Sequence, residues 1–245
     1  MDASFKLDLH GDFACFSQPF LSVERYSYPC PTPSAARNLF DAIYLKPEQF
    51  RWQVRRIEVL KPVAYIALRR NEVKDVISAN DVKKWMLGEP VRPILADADK
   101  ALAGSDEKGR TQRQTMALRD VRYRITAEIV PWPAHRQKLG GHIKQFERRA
   151  KHGKCFHQPY FGCREFPAYF RLVDECPDRP APEEYSQDLG WMLYDVFDLS
   201  RPQPPGTAKP SVSVFHARIE KGVLEVPAYG DSAVKKHVES HQEVA

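Results

Sequence analysis

HIKQFERRAKHGKCFHQPYFGCREFPAYF, residues 142–170, combines a basic helix with a run of aromatic residues, and the predicted fold is built outward from it. Apolar residues from Ile143 to Ala150 recur at helical spacing, so one stripe of the helix can be buried while its charged face stays in water. Gly153 stands where a glycine closes such a helix. The aromatic residues that follow predict a strand over 154–170.

Positive charge is concentrated in this part of the chain. The basic residues of the middle third are Arg119, Arg122, Arg124, Arg136, Lys138, Lys144, Arg148, Arg149, Lys151 and Lys154. The net charge is only +5, and an even spread of it would indicate no more than a basic surface. Clustering beside aromatic residues instead favours binding of RNA, through phosphate neutralisation and base stacking.

Apolar alternation and turn residues predict the other elements. Strands are expected near 5–9, 52–59, 65–73 and 121–129, with a bulge at 55–56, and helices over 33–44 and 142–152. Residues 74–118 are polar and weakly periodic, which predicts a long insertion with one short helix near 82–87. The order β-α-β-insert-β-α-β is that of a ferredoxin-like, α+β domain of the RNA-recognition type.

Composition divides the chain into three parts. The ferredoxin-like domain is expected to span 1–175, including the insertion at about 74–118. A small C-terminal antiparallel β-sheet is expected over 176–230, from a strand at 191–197 and a hairpin around 220–222. The polar residues 231–245 are expected to be a disordered tail.

The chain has 245 residues, of which 42% are hydrophobic, enough for a substantial core. Its five cysteines are an odd number and include no CxxC pair. The first residues lack the layout of a secretion signal, and no apolar run is long enough to cross a bilayer. We therefore expect a reduced, cytoplasmic protein that does not engage a membrane.

Several segments together resemble one protein family. They are GDFACF at 11–16, SY at 27–28, TPSAAR at 32–37, AIYLKP at 42–47, RRNEV at 69–73, FERRA at 146–150, GCREFPA at 162–168 and DLGWML at 188–193. In this order they resemble the repeat-processing subunit of type I-C CRISPR surveillance complexes, the Dvulg subtype of the fifth CRISPR-associated family. The resemblance covers roughly residues 5–230.

The resemblance implies a metal-independent endoribonuclease that cleaves the repeat hairpins of precursor CRISPR RNA. It also implies that the subunit keeps the 5′ tag of the guide within the complex, beside the backbone and large subunits. Nonspecific binding of duplex DNA is expected to be weak. The alternative is a catalytically weak or inactive RNA-binding scaffold subunit of the same complex.

The family attributes catalysis to a tyrosine, a lysine and a histidine. The tyrosine matches Tyr44 and the histidine matches His142, but Gly141 stands in the place of the lysine. Lys138 and Lys46 are the candidates to supply the missing ammonium group. On the residues alone, the alternative for His142 is an exposed histidine near a helix start, and the alternative for Tyr44 is a tyrosine that packs a helix end.

Metal-free cleavage of RNA uses the 2′-hydroxyl as nucleophile and leaves a 2′,3′-cyclic phosphate. It needs a base, an acid and donors for the charge of the phosphorane. His142 can act as base or acid because the unperturbed pKa of histidine is about 6.5. Tyr44, with an ordinary pKa of about 10, is better suited to orienting a hydroxyl or phosphate. Gly140 and Gly141 would let a phosphate approach the start of the helix.

We expect the RNA-binding residues to be Arg122, Arg124, Gly140, Gly141, Lys144, Arg148, Lys151, Lys154 and Arg164. Arg122 and Arg124 are predicted to lie on the wet face of their strand. No cofactor motif is present, and we expect neither cofactor nor metal. The rival chemistry is a zinc site, but its candidate ligands do not have the spacing of a zinc module: His152, Cys155, His157 and Cys163.

Overall fold

A computed structural model describes residues 3–21, 24–74, 76–90, 94, 109–173, 181–202 and 210–236. Its strands are β1 Ser4–Ala14, β2 Arg25–Tyr26, β3 Phe50–Val59, β4 Tyr65–Val73, β5 Arg110–Pro131, β6 Tyr169–Leu172, β7 Gln187–Asp195, β8 Ser213–Glu220, β9 Val223–Glu225 and β10 Lys235–Lys236. Its helices are α1 Pro33–Ile43, α2 Ala79–Met86 and α3 Leu139–Lys151, and a 3₁₀ turn over Pro133–Lys138 leads into α3. The fold is α+β.

The described strands form one large sheet, whose centre has the order β6–β1–β5–β3 with antiparallel neighbours. Helices α1 and α3 pack together against this centre. Phe40 of α1 stacks on Phe146 of α3 at 5.8 Å between ring centroids, and both rings contact Trp52 of β3. This buried aromatic cluster fixes the two helices beside each other, and with them the residues at their ends.

The predicted α1 is confirmed at both ends. Thr32 caps its start, with Oγ1 accepting a hydrogen bond from the N–H of Ala35 at 3.2 Å. The helix ends at Ile43, and Tyr44 follows with an extended backbone. Pro47, three residues on, disfavours helical angles at the residue before it, so the chain turns toward β3.

Helix α3 begins earlier than predicted, at Leu139 instead of residue 142, because the 3₁₀ turn already brings Lys138 to helical angles. Its predicted end is confirmed. Gly153 has φ of +62°, and its N–H bonds to the carbonyl of Ala150 while that of Lys154 bonds to the carbonyl of Arg149. These two bonds are those of a Schellman cap.

The strand predicted over 154–170 is wrong for most of its length, since only β6 is regular. Two prolines and a glycine interrupt the segment. Gly162 has φ of +79°, and a Cβ built on it would lie 1.9 Å from the carbonyl oxygen of Cys15, so the position accepts only glycine. Phe161 still enters the core, where its ring contacts those of Phe16 and Tyr123.

The predicted insertion over 74–118 is too long at its C-terminal end. Residues 110–118 belong to β5, which pairs along the whole of β4. Alternation is hard to see there because both faces of this hairpin carry polar residues. The short helix expected near 82–87 is confirmed as α2. Residues 91–93 and 95–108 lie outside the described residues.

The sequence predicted that the C-terminal strands form a sheet of their own, and this is wrong. β7, β8 and β9 are antiparallel and the hairpin turn is confirmed, but β9 also pairs with β3. Residues 231–236 are not a disordered tail either, because Val234 is buried and β10 pairs with β8. The remainder of the predicted tail lies outside the described residues.

None of the helices in the described ranges has the length and apolar character that a bilayer crossing requires.

Candidate active site

The site is built around a contact between Tyr44 and His142. The Tyr44 hydroxyl oxygen lies 2.9 Å from Nδ1 of His142. Tyr44 directly follows α1, and His142 lies in the first turn of α3. Both side chains are buried, so the alternative of an exposed histidine at the helix start is wrong.

The surrounding core holds both residues in place. The carbonyl oxygen of Tyr44 accepts a hydrogen bond from Nε1 of Trp52 at 2.9 Å. The Phe50 ring contacts the ring of Tyr44 at 5.5 Å and that of His142 at 4.9 Å between centroids. These aromatic contacts limit the rotamers of the pair, as a pre-organised site requires.

Beside the pair lies a cavity of about 580 Å³ that brings together all four candidates for catalysis. It is lined by Tyr44, Lys46, Gln137, Lys138, Gly141, His142 and Gln145. Lys144 is not among the lining residues, since it lies on another face of α3. The two lysines place positive charge beside the pair.

Burial and charge keep this pair electrically neutral. Desolvation lowers the pKa of His142, and the nearby positive charges of Lys138, His135 and Lys46 lower it further. Desolvation raises the pKa of Tyr44 against the opposing effect of Arg149. At neutral pH the site therefore holds an uncharged imidazole and an uncharged phenol beside two ammonium groups.

Nε2 of His142 is buried and has no hydrogen-bond partner among the described residues. A buried polar atom without a partner costs on the order of 1–3 kcal/mol. Such atoms are rare in folded proteins, and a catalytic role is one of the reasons for which they persist. Nδ1 is engaged by Tyr44, so Nε2 is the nitrogen left to react.

Gly140 and Gly141 do not precede the helix, as the predicted start at residue 142 implied. Both Gly140 and Gly141 lie within α3. Gly141 does not have a positive φ, and a Cβ built on it meets no atom within 4 Å. The position would therefore accept a side chain that projects from the helix beside the cavity.

Arg124 was predicted to be exposed, and this is wrong. It is buried between two carboxylates, with Nε 2.9 Å from Asp8 and Nη1 3.3 Å from Glu58. Arg122 is a third exposed and also pairs with Asp8, at 3.3 Å. Strands β1 and β3 pair with β5 on either side of it. Asp8 of β1 and Glu58 of β3 therefore engage Arg124 in an ion-pair network within the fold, where a contact with RNA was predicted.

The other predicted RNA-binding side chains are exposed. Lys144, Arg148 and Lys151 follow one another at helical spacing along one face of α3 and are called here the basic stripe. Arg148 donates to the side chain of Gln145, which lines the cavity, at 3.0 Å. Lys154 follows the end of the helix.

Arg164 lies apart from these residues. It lines a larger cavity, of about 900 Å³, on the other side of the loop between α1 and β3. Leu45 and Pro47 face that cavity, whereas Tyr44 and Lys46 face the smaller one. The loop therefore separates the two cavities.

Arg149 is a residue that the sequence interpretation did not assign to the site. Its Nε donates to the carbonyl oxygen of Ile43 at 2.6 Å, and its guanidinium lies 4.3 Å from the centre of the Phe156 ring. It thus joins α3 to the end of α1, next to Tyr44. The signal was its position seven residues after His142, which places the two on the same helical face.

No cluster of three or more histidine, cysteine, aspartate or glutamate side chains is arranged to hold a metal ion within the part of the chain that the structure describes. The four candidate ligands of a zinc site, at 152, 155, 157 and 163, all lie in that part.

Comparison with known proteins identifies the family. The family described as CRISPR-associated protein (Cas_Cas5), the Cas5d group, matches residues 4–227. A protein of Thermus thermophilus named CRISPR pre-crRNA endoribonuclease Cas5d is 41% identical over an alignment of 240 positions that covers 92% of each chain. One of the same name from Mannheimia succiniciproducens is 38% identical over 237 residues, covering 94% of this chain and 98% of the other.

A solved structure described as a CRISPR-associated protein has the same fold, with a TM-score of 0.61 at 19% identity, and the match covers 96% of this chain and 97% of the other. The likeness extends across nearly the whole length of all three relatives. The chain therefore belongs to the Cas5d family of CRISPR-associated proteins.

Proposed function

We propose that the protein is an endoribonuclease that cleaves precursor CRISPR RNA within its repeat hairpins. The observation that carries the proposal is the buried Tyr44–His142 pair beside Lys46 and Lys138. The names of the relatives from Thermus and Mannheimia support the same activity. The strand order β6–β1–β5–β3, with two helices on the sheet, supports a ferredoxin-like core.

His142 is the base that takes the proton from the 2′-hydroxyl of the RNA. Its lowered pKa leaves the ring neutral, and a Nδ1–H that donates to the Tyr44 oxygen leaves the lone pair on Nε2. Tyr44 thus fixes the tautomer and orientation of the ring. In the complex, Nε2 has to come within hydrogen-bond reach of the 2′-hydroxyl, a contact that forms only when substrate is bound.

The oxyanion that forms next needs stabilisation. The 2′-oxygen attacks the adjacent phosphorus and the bond to the 5′-oxygen breaks, while the leaving 5′-oxygen takes a proton from a cavity ammonium group or from water. The products are a 2′,3′-cyclic phosphate and a 5′-hydroxyl. Lys46 and Lys138 line the cavity and offer ammonium donors to the phosphorane. They take over the role of the lysine that the family has at the position of Gly141. The reaction as written needs no metal ion.

The basic stripe and Lys154 bind the phosphates of the RNA. After cleavage, the 5′ tag of the guide stays bound to the protein. The protein then acts in the cytoplasm as a subunit of a type I-C surveillance complex, together with the backbone and large subunits of that complex. Membrane association plays no part in this function. The rival function is a non-catalytic RNA scaffold, and the specific observation that favours it is glycine at position 141.

Incubation with a cognate repeat hairpin in EDTA separates the two functions. We expect a single cut with a cyclic phosphate at the new 3′ end, identified by its resistance to phosphatase until acid opens the ring. Cleavage that strictly depends on added metal refutes the mechanism. Tight binding with no cleavage, with and without metal, supports the scaffold.

A further inference from the structure

Two cysteines far from the cleavage pair form an unusual cluster. Cys15 lies just after β1 and is 1% exposed, whereas Cys163 is half-buried in the turn that precedes β6. The backbone N–H of Cys15 donates to the carbonyl of Phe161 at 3.0 Å. The missing side chain of Gly162 lets that turn rest directly on the Cys15 carbonyl. The two cysteines are thereby held together although 148 positions separate them.

The surroundings of Cys163 are positively charged. Nη1 of Arg25 donates to its sulfur at 3.5 Å. Arg70 lies nearby, where its guanidinium also pairs with Glu165 and donates to Thr115. The neighbouring Cys15 thiol, together with Arg25 and Arg70, lowers the pKa of Cys163 to about 6. The proximity of Cys163 and burial raise the pKa of Cys15, whose sulfur also lies 3.5 Å from the hydroxyl oxygen of Ser17.

This arrangement has the features of a redox-active thiol pair: a partly accessible thiolate next to arginines, with a second, protonated thiol beside it. We infer that Cys163 is a site of oxidation by hydroperoxides and that Cys15 is its resolving partner, so that the two form a disulfide. The proposed RNA cleavage uses neither residue.

The reaction takes place in two steps. The Cys163 thiol first releases its proton to the solvent. The resulting thiolate attacks one oxygen of hydrogen peroxide, the O–O bond breaks, and the departing hydroxide takes up the proton that Cys163 released and leaves as water. Cys163 is then a sulfenic acid, and the peroxide has been reduced. The Cys15 sulfur next attacks the Cys163 sulfur, the S–O bond breaks, and the hydroxide leaves as water with the Cys15 proton. In sum, two thiols and one peroxide give one disulfide and two waters.

Cys155 is the matched control, because it is also free and half-buried but has no arginine hydrogen-bonded to its sulfur among the described residues. The rates at which iodoacetamide alkylates Cys155 and Cys163 at pH 6 are compared in the unaltered protein. At that pH a thiol of pKa 6 is half thiolate, and after allowance for its weaker nucleophilicity Cys163 should react roughly tenfold faster than an ordinary cysteine. Equal rates at Cys155 and Cys163 would overturn the inference.

The full chain is then treated with a few equivalents of hydrogen peroxide, and its peptides are mapped by mass spectrometry without reductant. We expect a Cys15–Cys163 disulfide as the main product, absent in Cys163→Ser and unchanged in Cys155→Ser. In Cys15→Ala the sulfenic acid should persist on Cys163 and be trapped by dimedone. Oxidation that spares Cys163, or no dimedone adduct in Cys15→Ala, contradicts the assignment. The alkylation rates of the unaltered protein test it even if a variant fails to fold.

Discussion

The hydroxyl of Tyr44 and Nδ1 of His142 lie 2.9 Å apart although 98 positions separate the residues in the chain. One follows a helix, the other lies in the first turn of another, and the aromatic cluster between the helices sets their distance. Nδ1 is occupied by the tyrosine, so only Nε2 remains for chemistry. The first prediction tests this division of roles.

His142→Ala should lower the single-turnover rate of hairpin cleavage by about 10²- to 10⁴-fold, the usual contribution of a general base, and leave the Kd for the hairpin near that of the wild type. Tyr44→Phe removes the hydroxyl that orients the His142 ring, so the cleavage rate of this variant should lie between those of His142→Ala and the wild type. Tyr169→Phe, at an exposed tyrosine on β6, is the control. If His142→Ala cleaves as fast as the wild type, the site is elsewhere.

Gly141→Lys should raise the cleavage rate. Its backbone has no positive φ and there is open space at its Cβ, so a lysine can be accommodated beside the cavity. A charge-stabilising donor is worth about 2–4 kcal/mol, or roughly 30- to 1,000-fold in rate, which sets the upper limit of the gain. Lys138→Ala measures how far that residue already fills the role. If Gly141→Lys binds the hairpin as the wild type does but cleaves it more slowly, another ammonium group in the cavity does not stabilise the transition state.

The pH profile of cleavage follows from the lowered pKa of His142. A base must be neutral to act, so activity should be retained below pH 6.5 and lost only as the pH falls through the lowered pKa. Replacing both Lys46 and Lys138 by Gln removes two of the charges that lower it, and should shift the acid limb to higher pH whatever the absolute rate. Lys144→Gln, outside the cavity, should not shift it. A rate that instead declines as pH rises through this range identifies His142 as the acid.

Binding of the hairpin should weaken steeply with salt if the basic stripe contacts phosphates. Replacing Lys144, Arg148 and Lys151 together by Gln should reduce the slope of log K against log salt by about 2–3, at 0.7 to 0.9 for each lost contact. Arg218, exposed on β8, offers a control that should leave the slope unchanged. A triple variant with the wild-type slope places the RNA on another surface.

Arg124→Ala should destabilise the fold, because Asp8 and Glu58 lose the buried cation that they share. They keep the more exposed Arg122 and Arg56 as close partners. Loss of one partner from a buried pair costs about 3–5 kcal/mol, measured as the free energy of unfolding in urea. Arg122→Ala is the matched control: the residue is a third exposed and should cost about 1 kcal/mol or less. Similar losses in the two variants would show that burial of Arg124 has little effect.

The sequence by itself determined the local elements. Thr32-Pro33 sets the start of α1, Pro47 forces the chain to leave the helix before it, and Gly153 ends α3, since each depends on sterics and hydrogen bonds within a few residues. Tyr44 and His142 were also named from sequence, through the family motifs in which they stand.

Only the tertiary structure decided which distant groups meet. Alternation along β5 placed Arg124 on a polar face, but the carboxylates of β1 and β3 made that face an internal ion-pair network. The C-terminal hairpin contained its own turn signal but nothing to show that β9 would pair with β3. Gly162 admits the Cys15 carbonyl, and packing of Phe40 on Phe146 brings Tyr44 to His142. Local patterns fix backbone conformation, whereas the choice of partner depends on how the whole core packs, which no short stretch of the sequence contains.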